Sequence, residues 1–240
     1  MKQFKNLVVS GCSFSACSSN IENGIMCPTT WSQFLLPKIN PNIFVNVAMN
    51  AGGNFAAGYN IVYLLETKNF FMSNDTASND TLVLFNITGL DRFDTMCYKD
   101  NAHANNLFSW NQDFGFGWIT QGGFGHGPRP PFNGLLQKHM GMDQIITTNS
   151  LAIINTITYL EANNFRYAFM LMNQHIEPAA PDFLKRFLDN RSAHHITFDG
   201  VSNMHEYCKQ NSLLGWDQFH PSREGHSAIA DFVYRHIDKY

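Results

Sequence analysis

Toward its C-terminal end the chain reads Trp216-Asp217-Gln218-Phe219-His220-Pro221-Ser222-Arg223-Glu224-Gly225-His226, with an acid three residues ahead of a histidine. That spacing lets one short turn hold a carboxylate against imidazole Nδ1 and leaves Nε2 to take a proton from a hydroxyl. A hydroxyl placed for such an exchange stands near the other end, in Gly11-Cys12-Ser13-Phe14-Ser15, directly after an apolar run. The backbone N–H groups of a tight turn there, and the start of a following helix, would favour a developing oxyanion. Each segment alone has an ordinary reading. Gly-x-Ser also serves as a helix cap or side-chain turn, and a loop histidine is often satisfied by its neighbouring carboxylate. Together they supply nucleophile, base and orienting acid: Ser13, His220 and Asp217.

The elements that must bring these residues together follow a repeating pattern. Asn6 to Val9 is a short apolar run ending at Ser10-Gly11, which reads as a buried first strand delivering its end to a turn. Thr30 can cap a helix carrying Trp31, Phe34, Leu35 and Leu36 on one face, with Pro37 expected to end it. A second strand, Ile43 to Val47, runs into Ala48-Met49-Asn50-Ala51-Gly52-Gly53-Asn54 and then a helix with Ile61, Leu64 and Leu65 on one side. Thr81 to Phe85 is a third strand. Ile145 to Leu160 has helical spacing that Asn163-Asn164 can end, Tyr167 to Met172 is a fourth strand, and Ala228, Ile229, Phe232 and Val233 mark a final helix. Alternating strands and helices predict a parallel sheet covered on both faces. In such a sheet ligands bind at the carboxyl ends of the strands, where Ser13 falls.

At 240 residues and 44% hydrophobic content, the chain suits one α/β domain spanning 1–240. Its net charge of −3, with 16 Lys plus Arg and no basic cluster, argues against nucleic acid as a partner. No run approaches the ~18 apolar residues of a membrane span, and the first residues lack a signal-peptide core, so a cytoplasmic setting is expected and a viral origin is compatible with the asparagine-rich segments. The five cysteines, Cys12, Cys17, Cys27, Cys97 and Cys208, form no C-x-x-C pair and read as free thiols. The histidines other than His220 are scattered without ligand spacing, so no metal site is expected. Between about 100 and 142, glycines are interleaved with Phe114, Phe116, Trp118, Phe124 and Phe132, and the stretch also holds Pro128-Arg129-Pro130-Pro131. This reads as an insertion over the sheet edge, serving as a packed cap, a subunit contact in a homo-oligomer, or a sugar-recognising cleft.

Gly11-Cys12-Ser13-Phe14-Ser15 resembles the first sequence block of the SGNH (GDSL-like) hydrolases, and Asp217-Gln218-Phe219-His220-Pro221 with Gly225-His226 resembles their last. The order of the two along the chain agrees. The resemblance implies a three-layer α/β/α, flavodoxin-like sandwich around a central parallel sheet, no cofactor, and a small-molecule ester substrate. It also implies an oxyanion hole built from the Ser13 N–H, a backbone N–H in the second block at Ala51 or Gly52, and a side chain in the third block. That third block departs from the family's Gly-x-Asn-Asp. Here the chain reads Asn86-Ile87-Thr88-Gly89-Leu90-Asp91-Arg92, with Thr88 on the asparagine position and Asn86 as the alternative after a register shift. Cys12 replaces the family's aspartate; as a nucleophile it is the lesser candidate, because its side chain should point away from that of Ser13. Asp91 and Arg92 are expected to pair, or Arg92 to meet an anionic group of the substrate.

Two functions fit these residues. One is a serine esterase that forms an acyl-enzyme from a small acyl or acetyl ester of a carbohydrate or lipid. The other is a non-catalytic carbohydrate-binding or structural module on the same scaffold, motivated by Cys12, Ala51 and Thr88.

Overall fold

A computed structural model describes residues 4–16, 20–22, 25–27, 29–49, 52–67, 78–98, 108–111, 116–121, 141–173 and 176–239; for 20–22, 25–27, 95–98, 108–111 and 116–121 it describes the backbone alone. The central sheet has four strands, β1 (Asn6–Ser10), β4 (Ile43–Asn46), β5 (Thr81–Ile87) and β9 (Arg166–Leu171), in the order β4-β1-β5-β9. All three pairings are parallel, with Asn6 opposite Ile43 and Thr81, and Leu82 opposite Arg166. β1 and β5 are buried along their whole length, as the near-continuous apolar runs of a sheet covered on both faces require.

The helices are α1 (Trp31–Ile39), α2 (Asn54–Glu66), α3 (Met142–Ala162), α4 (Ile176–Ala179), α5 (Asp182–Asp189), α6 (Met204–Gln210) and α7 (Arg223–Ile237). α1 packs on α7 and α2 on α3, and these pairs flank the sheet in an α/β/α sandwich. None of the described helices is long and apolar enough to cross a membrane. After β1 the chain goes to β4 on one side and then returns to β5 on the other. The loops leaving β1, β4 and β5 therefore diverge at β1, the kind of switch point where open α/β sheets hold their ligands.

Two expectations need correction. Pro37 lies inside α1 and does not end it: the helix runs on to Ile39 and stops at Asn40, whose φ of 51° is left-handed and whose N–H bonds Leu36 O at 2.7 Å. A proline so close to the C-terminus removes one helical hydrogen bond, which the buried face of Trp31, Leu35 and Ile39 offsets. The glycine- and aromatic-rich stretch contains regular structure: β7 (Phe108–Asn111) and β8 (Phe116–Gln121) form an antiparallel sheet with β6 (Phe93–Tyr98), in the order β6-β8-β7. The alternation Phe116-Gly117-Trp118 has the strand period, which the surrounding glycines obscured; the rest of 100–140 lies outside the described residues. A small hairpin of β2 (Asn20–Glu22) and β3 (Ile25–Cys27) was likewise not foreseen.

Candidate active site

Gly11 makes the turn that carries Ser13 possible. Its φ is +142°, and a Cβ there would lie 2.7 Å from Asn86 Cβ and 2.9 Å from Asn86 O. Only glycine allows β1 and β5 to approach this closely at the moment the chain leaves the sheet. The chain then curls back, with Ser15 N and Ala16 N both bonding Cys12 O at 2.8 and 2.9 Å. Ser15 lies beneath the turn as its anchor: its Oγ accepts from Trp31 Nε1 and Asn86 Nδ2, each at 3.1 Å, and its carbonyl accepts from Asn46 Nδ2 at 2.8 Å. Cys12 is fully buried with its Sγ 3.1 Å from Met172 Sδ, while Ser13 is partly exposed. The two side chains thus face opposite ways.

Ser13 Oγ lies 2.7 Å from His220 Nε2, and His220 Nδ1 lies 2.5 Å from Asp217 Oδ2. The loop that supplies the pair is cross-braced. Gly215 N bonds His220 O at 2.7 Å, Gln218 N bonds Gly215 O at 3.0 Å, and Ser222 N bonds Leu213 O at 2.7 Å. Gln218 takes the left-handed φ of 57° that the turn demands. Asp217 Oδ1 accepts from the backbone N–H of Phe219 and His220 at 3.0 and 2.9 Å. Partial burial works against the charge of Asp217, but the bond from His220 and these two N–H donors outweigh it and hold the carboxyl below its usual range. Phe14 and Phe219 pack on the imidazole with centroids 5.1 and 5.3 Å away. Ser222 then caps α7, its Oγ accepting from Gly225 N at 3.1 Å. One turn on, His226 is buried and takes the Trp31 N–H on its Nδ1 at 3.3 Å, which ties α7 to α1. Burial, with a smaller contribution from His220, pushes His226 down to about 4.

The second and third loops are bound to each other by buried polar side chains that the sequence reading passed over. Asn54 grips Thr88 at both ends: its Nδ2 donates to Thr88 O at 3.0 Å and its Oδ1 accepts from Thr88 N at 2.8 Å. From α3, Asn149 Nδ2 reaches Leu90 O and Arg92 O at 3.0 and 2.6 Å, and its Oδ1 accepts from Asn54 N at 3.2 Å. Asp94 caps α2 from a distance, accepting from Gly53 N and Ala56 N, each at 2.9 Å. Burial pushes its pKa up to about 6 despite those two N–H groups and the nearby Arg92 charge. Capping signals are sought within a few residues of a helix start, so a carboxylate arriving from another strand leaves no local signature.

Among the ion pairs of the described residues there is none between Asp91 and Arg92. Arg92 is buried, with Nη1 donating to Gly52 O at 2.9 Å and Nη2 lying 3.5 Å from Met172 Sδ. The backbone turn at Gly89 holds Asp91 Oδ1 close to its own loop, while the guanidinium is drawn inward to donate to the Gly52 carbonyl. Of the oxyanion candidates, Ala51 lies outside the described residues. The Gly52 N–H is bonded to Met49 O at 3.1 Å. Thr88 is fully buried, and its Oγ1 has no hydrogen-bond partner among the described residues. Asn86 spends its amide on Ser15. No group of three or more His, Cys, Asp or Glu side chains that could hold a metal occurs among the described residues.

The architecture is that of the SGNH/GDSL esterases and lipases. The chain matches, over 98% of its length, the psychrotrophic esterase EstA from Pseudoalteromonas sp., covering 97% of that chain at a TM-score of 0.51 and 14% identity. It likewise matches over 98% of its length a member of the lipolytic protein G-D-S-L family from Veillonella parvula, covering 99% of that chain at a TM-score of 0.52 and 12% identity. At such identities the likeness is one of fold. No family model and no curated protein matches the chain by sequence.

Proposed function

We propose that the protein is a single-domain serine esterase that removes a small acyl group, such as acetyl, from a carbohydrate or lipid alcohol. The observation that carries this reading is the unbroken line of contacts from Asp217 through His220 to Ser13, at 2.5 and 2.7 Å. His220 Nε2 takes the Ser13 proton as Oγ attacks the ester carbonyl, and Asp217 stabilises the imidazolium that results. Collapse of the tetrahedral adduct breaks the bond to the alkoxy oxygen, which leaves with the proton from His220. Water, deprotonated by the same imidazole, then attacks the acyl-serine, and the acid departs as Ser13 recovers its proton. The chemistry needs no cofactor.

With the Gly52 N–H engaged by Met49, the second oxyanion donor falls to Ala51, beside the Ser13 N–H. The third is the Thr88 hydroxyl, whose buried Oγ1 has no hydrogen-bond partner among the described residues, which supports the assignment. Hydrolysis of p-nitrophenyl esters from acetyl to octanoyl, by the wild type beside Ser13→Ala, tests the reading. Activity disappears in Ser13→Ala, Thr88→Val lowers kcat by about a hundredfold, and Thr88→Ser keeps most of it. Equal rates in wild type and Ser13→Ala, or none in either, would instead support the non-catalytic carbohydrate-binding module.

A further inference from the structure

The turn that carries Asp217 also carries the most exposed large apolar side chain among the described residues. Trp216 is 70% exposed, against 37–47% for Phe55, Tyr59, Met142, Leu151 and Phe183. The Gln218 N–H bond to Gly215 O makes Trp216 and Asp217 the two central residues of one β-turn, and the Gly215 N–H bond to His220 O closes the loop behind them. The indole is therefore mounted on the same braced backbone as the acid, and one imidazole separates that acid from Ser13 Oγ. Among the described residues no hydrogen bond or ring contact engages this side chain, although leaving it in water forfeits the benefit of burying a large apolar surface.

The direction of the proposed reaction says which half of the substrate the ring meets. His220 must hand its proton to the departing alkoxy oxygen, so the alcohol half of the ester lies on the His220 side of Ser13, toward the 215–220 loop. The acyl half lies on the side of the loops that follow β4 and β5. Resting on the esterase reading above, we propose that Trp216 is a specificity-determining platform for the alcohol half, and that this half is a sugar ring. A flat indole face beside an exposed carboxamide, Gln218, complements a pyranose, whose apolar C–H face is edged by hydroxyls. A lipid-surface anchor needs contiguous apolar neighbours. Trp216 has instead Gly215, Asp217 and Gln218 beside it, with Arg223 and Glu224 a few residues on, in a chain of net charge −3.

The test compares wild type, Trp216→Ala and Trp216→Phe on two acetyl esters, 6-O-acetylglucose and ethyl acetate, followed by acid release, with Ser13→Ala as the blank. Trp216→Ala raises KM for the acetylated sugar by about fivefold to tenfold, the size of one aromatic contact. It leaves kcat on that sugar, and kcat/KM on ethyl acetate, within about twofold, and Trp216→Phe recovers most of the sugar KM. Thermal unfolding of Trp216→Ala at the wild-type temperature shows that the fold is intact. An unchanged KM for the sugar, or equal losses on both esters, overturns the platform and leaves the esterase reading standing. A loss confined to a long-chain ester in phosphatidylcholine vesicles overturns it in favour of a lipid contact. Absence of Ser13-dependent hydrolysis of either acetyl ester removes the esterase reading and the platform with it.

Discussion

Replacing Gly11 by alanine should damage both stability and catalysis, by amounts the geometry separates. The φ of +142° is one that L side chains rarely adopt, at a cost of about 1–3 kcal/mol. The new methyl would sit 2.7 Å from Asn86 Cβ and 2.9 Å from Asn86 O, well inside the ~3.5–4.0 Å of ordinary contact. Relieving that overlap in a packed core costs about another 1–3 kcal/mol. The total, about 2–6 kcal/mol, is a large part of the ~5–15 kcal/mol that stabilises a typical domain. Gly200 supplies the control, since its φ is +81° but nothing lies within 4 Å of a Cβ there; alanine at that position bears only the dihedral strain. Urea unfolding of the two variants should show Gly11→Ala weaker than Gly200→Ala by about 1–3 kcal/mol. The only way to relieve the contact is to move the Gly11–Ser13 turn away from β5, and a shift approaching 1 Å costs on the order of a hundredfold in rate. If Gly11→Ala is no less stable than Gly200→Ala, the close approach of β1 and β5 is not what holds the nucleophile turn.

The buried polar residues yield three further tests. Asn149→Ala strands Leu90 O, Arg92 O and Asn54 N; urea unfolding should register a loss of about 2–4 kcal/mol, and ester kinetics a fall in kcat larger than any rise in KM. His226 titrates at about 4 when folded, against an ordinary 6.5, so the unfolded chain binds the proton first as pH falls. Native stability is then lost between pH 6.5 and 4, and denaturant titrations should show wild type falling relative to His226→Gln by about 1–3 kcal/mol across that window. Asp94 has the opposite sign. Its folded value of about 6 exceeds the ordinary 3.8, so its contribution is fully present below 3.8 and lost as pH rises through 6. Wild type should weaken relative to Asp94→Asn between those values by about 1–3 kcal/mol, on top of a constant offset because the amide accepts only one of the Gly53 and Ala56 N–H bonds. A slope of the wrong sign in either titration would refute the corresponding burial argument.

What was legible beforehand is what depends on neighbours in the chain. Asp217 and His220 are three residues apart, and one turn suffices to join them. The strands of the central sheet are apolar enough on both faces to be read from composition, and their alternation with helices specifies parallel pairing. Regular structure in β6, β7 and β8 was hidden because glycine supplies no side-chain signal and antiparallel pairing depends on a distant partner. The helix stop at Asn40 lost out to the more conspicuous Pro37, because proline's local penalty says nothing of the packing that can outweigh it.

By itself the sequence determined the order of elements, the Gly11 turn that presents Ser13, and the acid–histidine turn. Only the tertiary structure decided that Ser13 meets His220 across 207 positions, because that contact depends on β1 lying between β4 and β5 and on α7 docking against α1 through His226. The same holds for the brace of Asn54, Asn149 and Asp94 and for the inward turn of Arg92 to Gly52 O. Each is a buried polar group that must find a partner, and which partner lies within reach is set by the packing of remote segments and not by residues nearby in the chain.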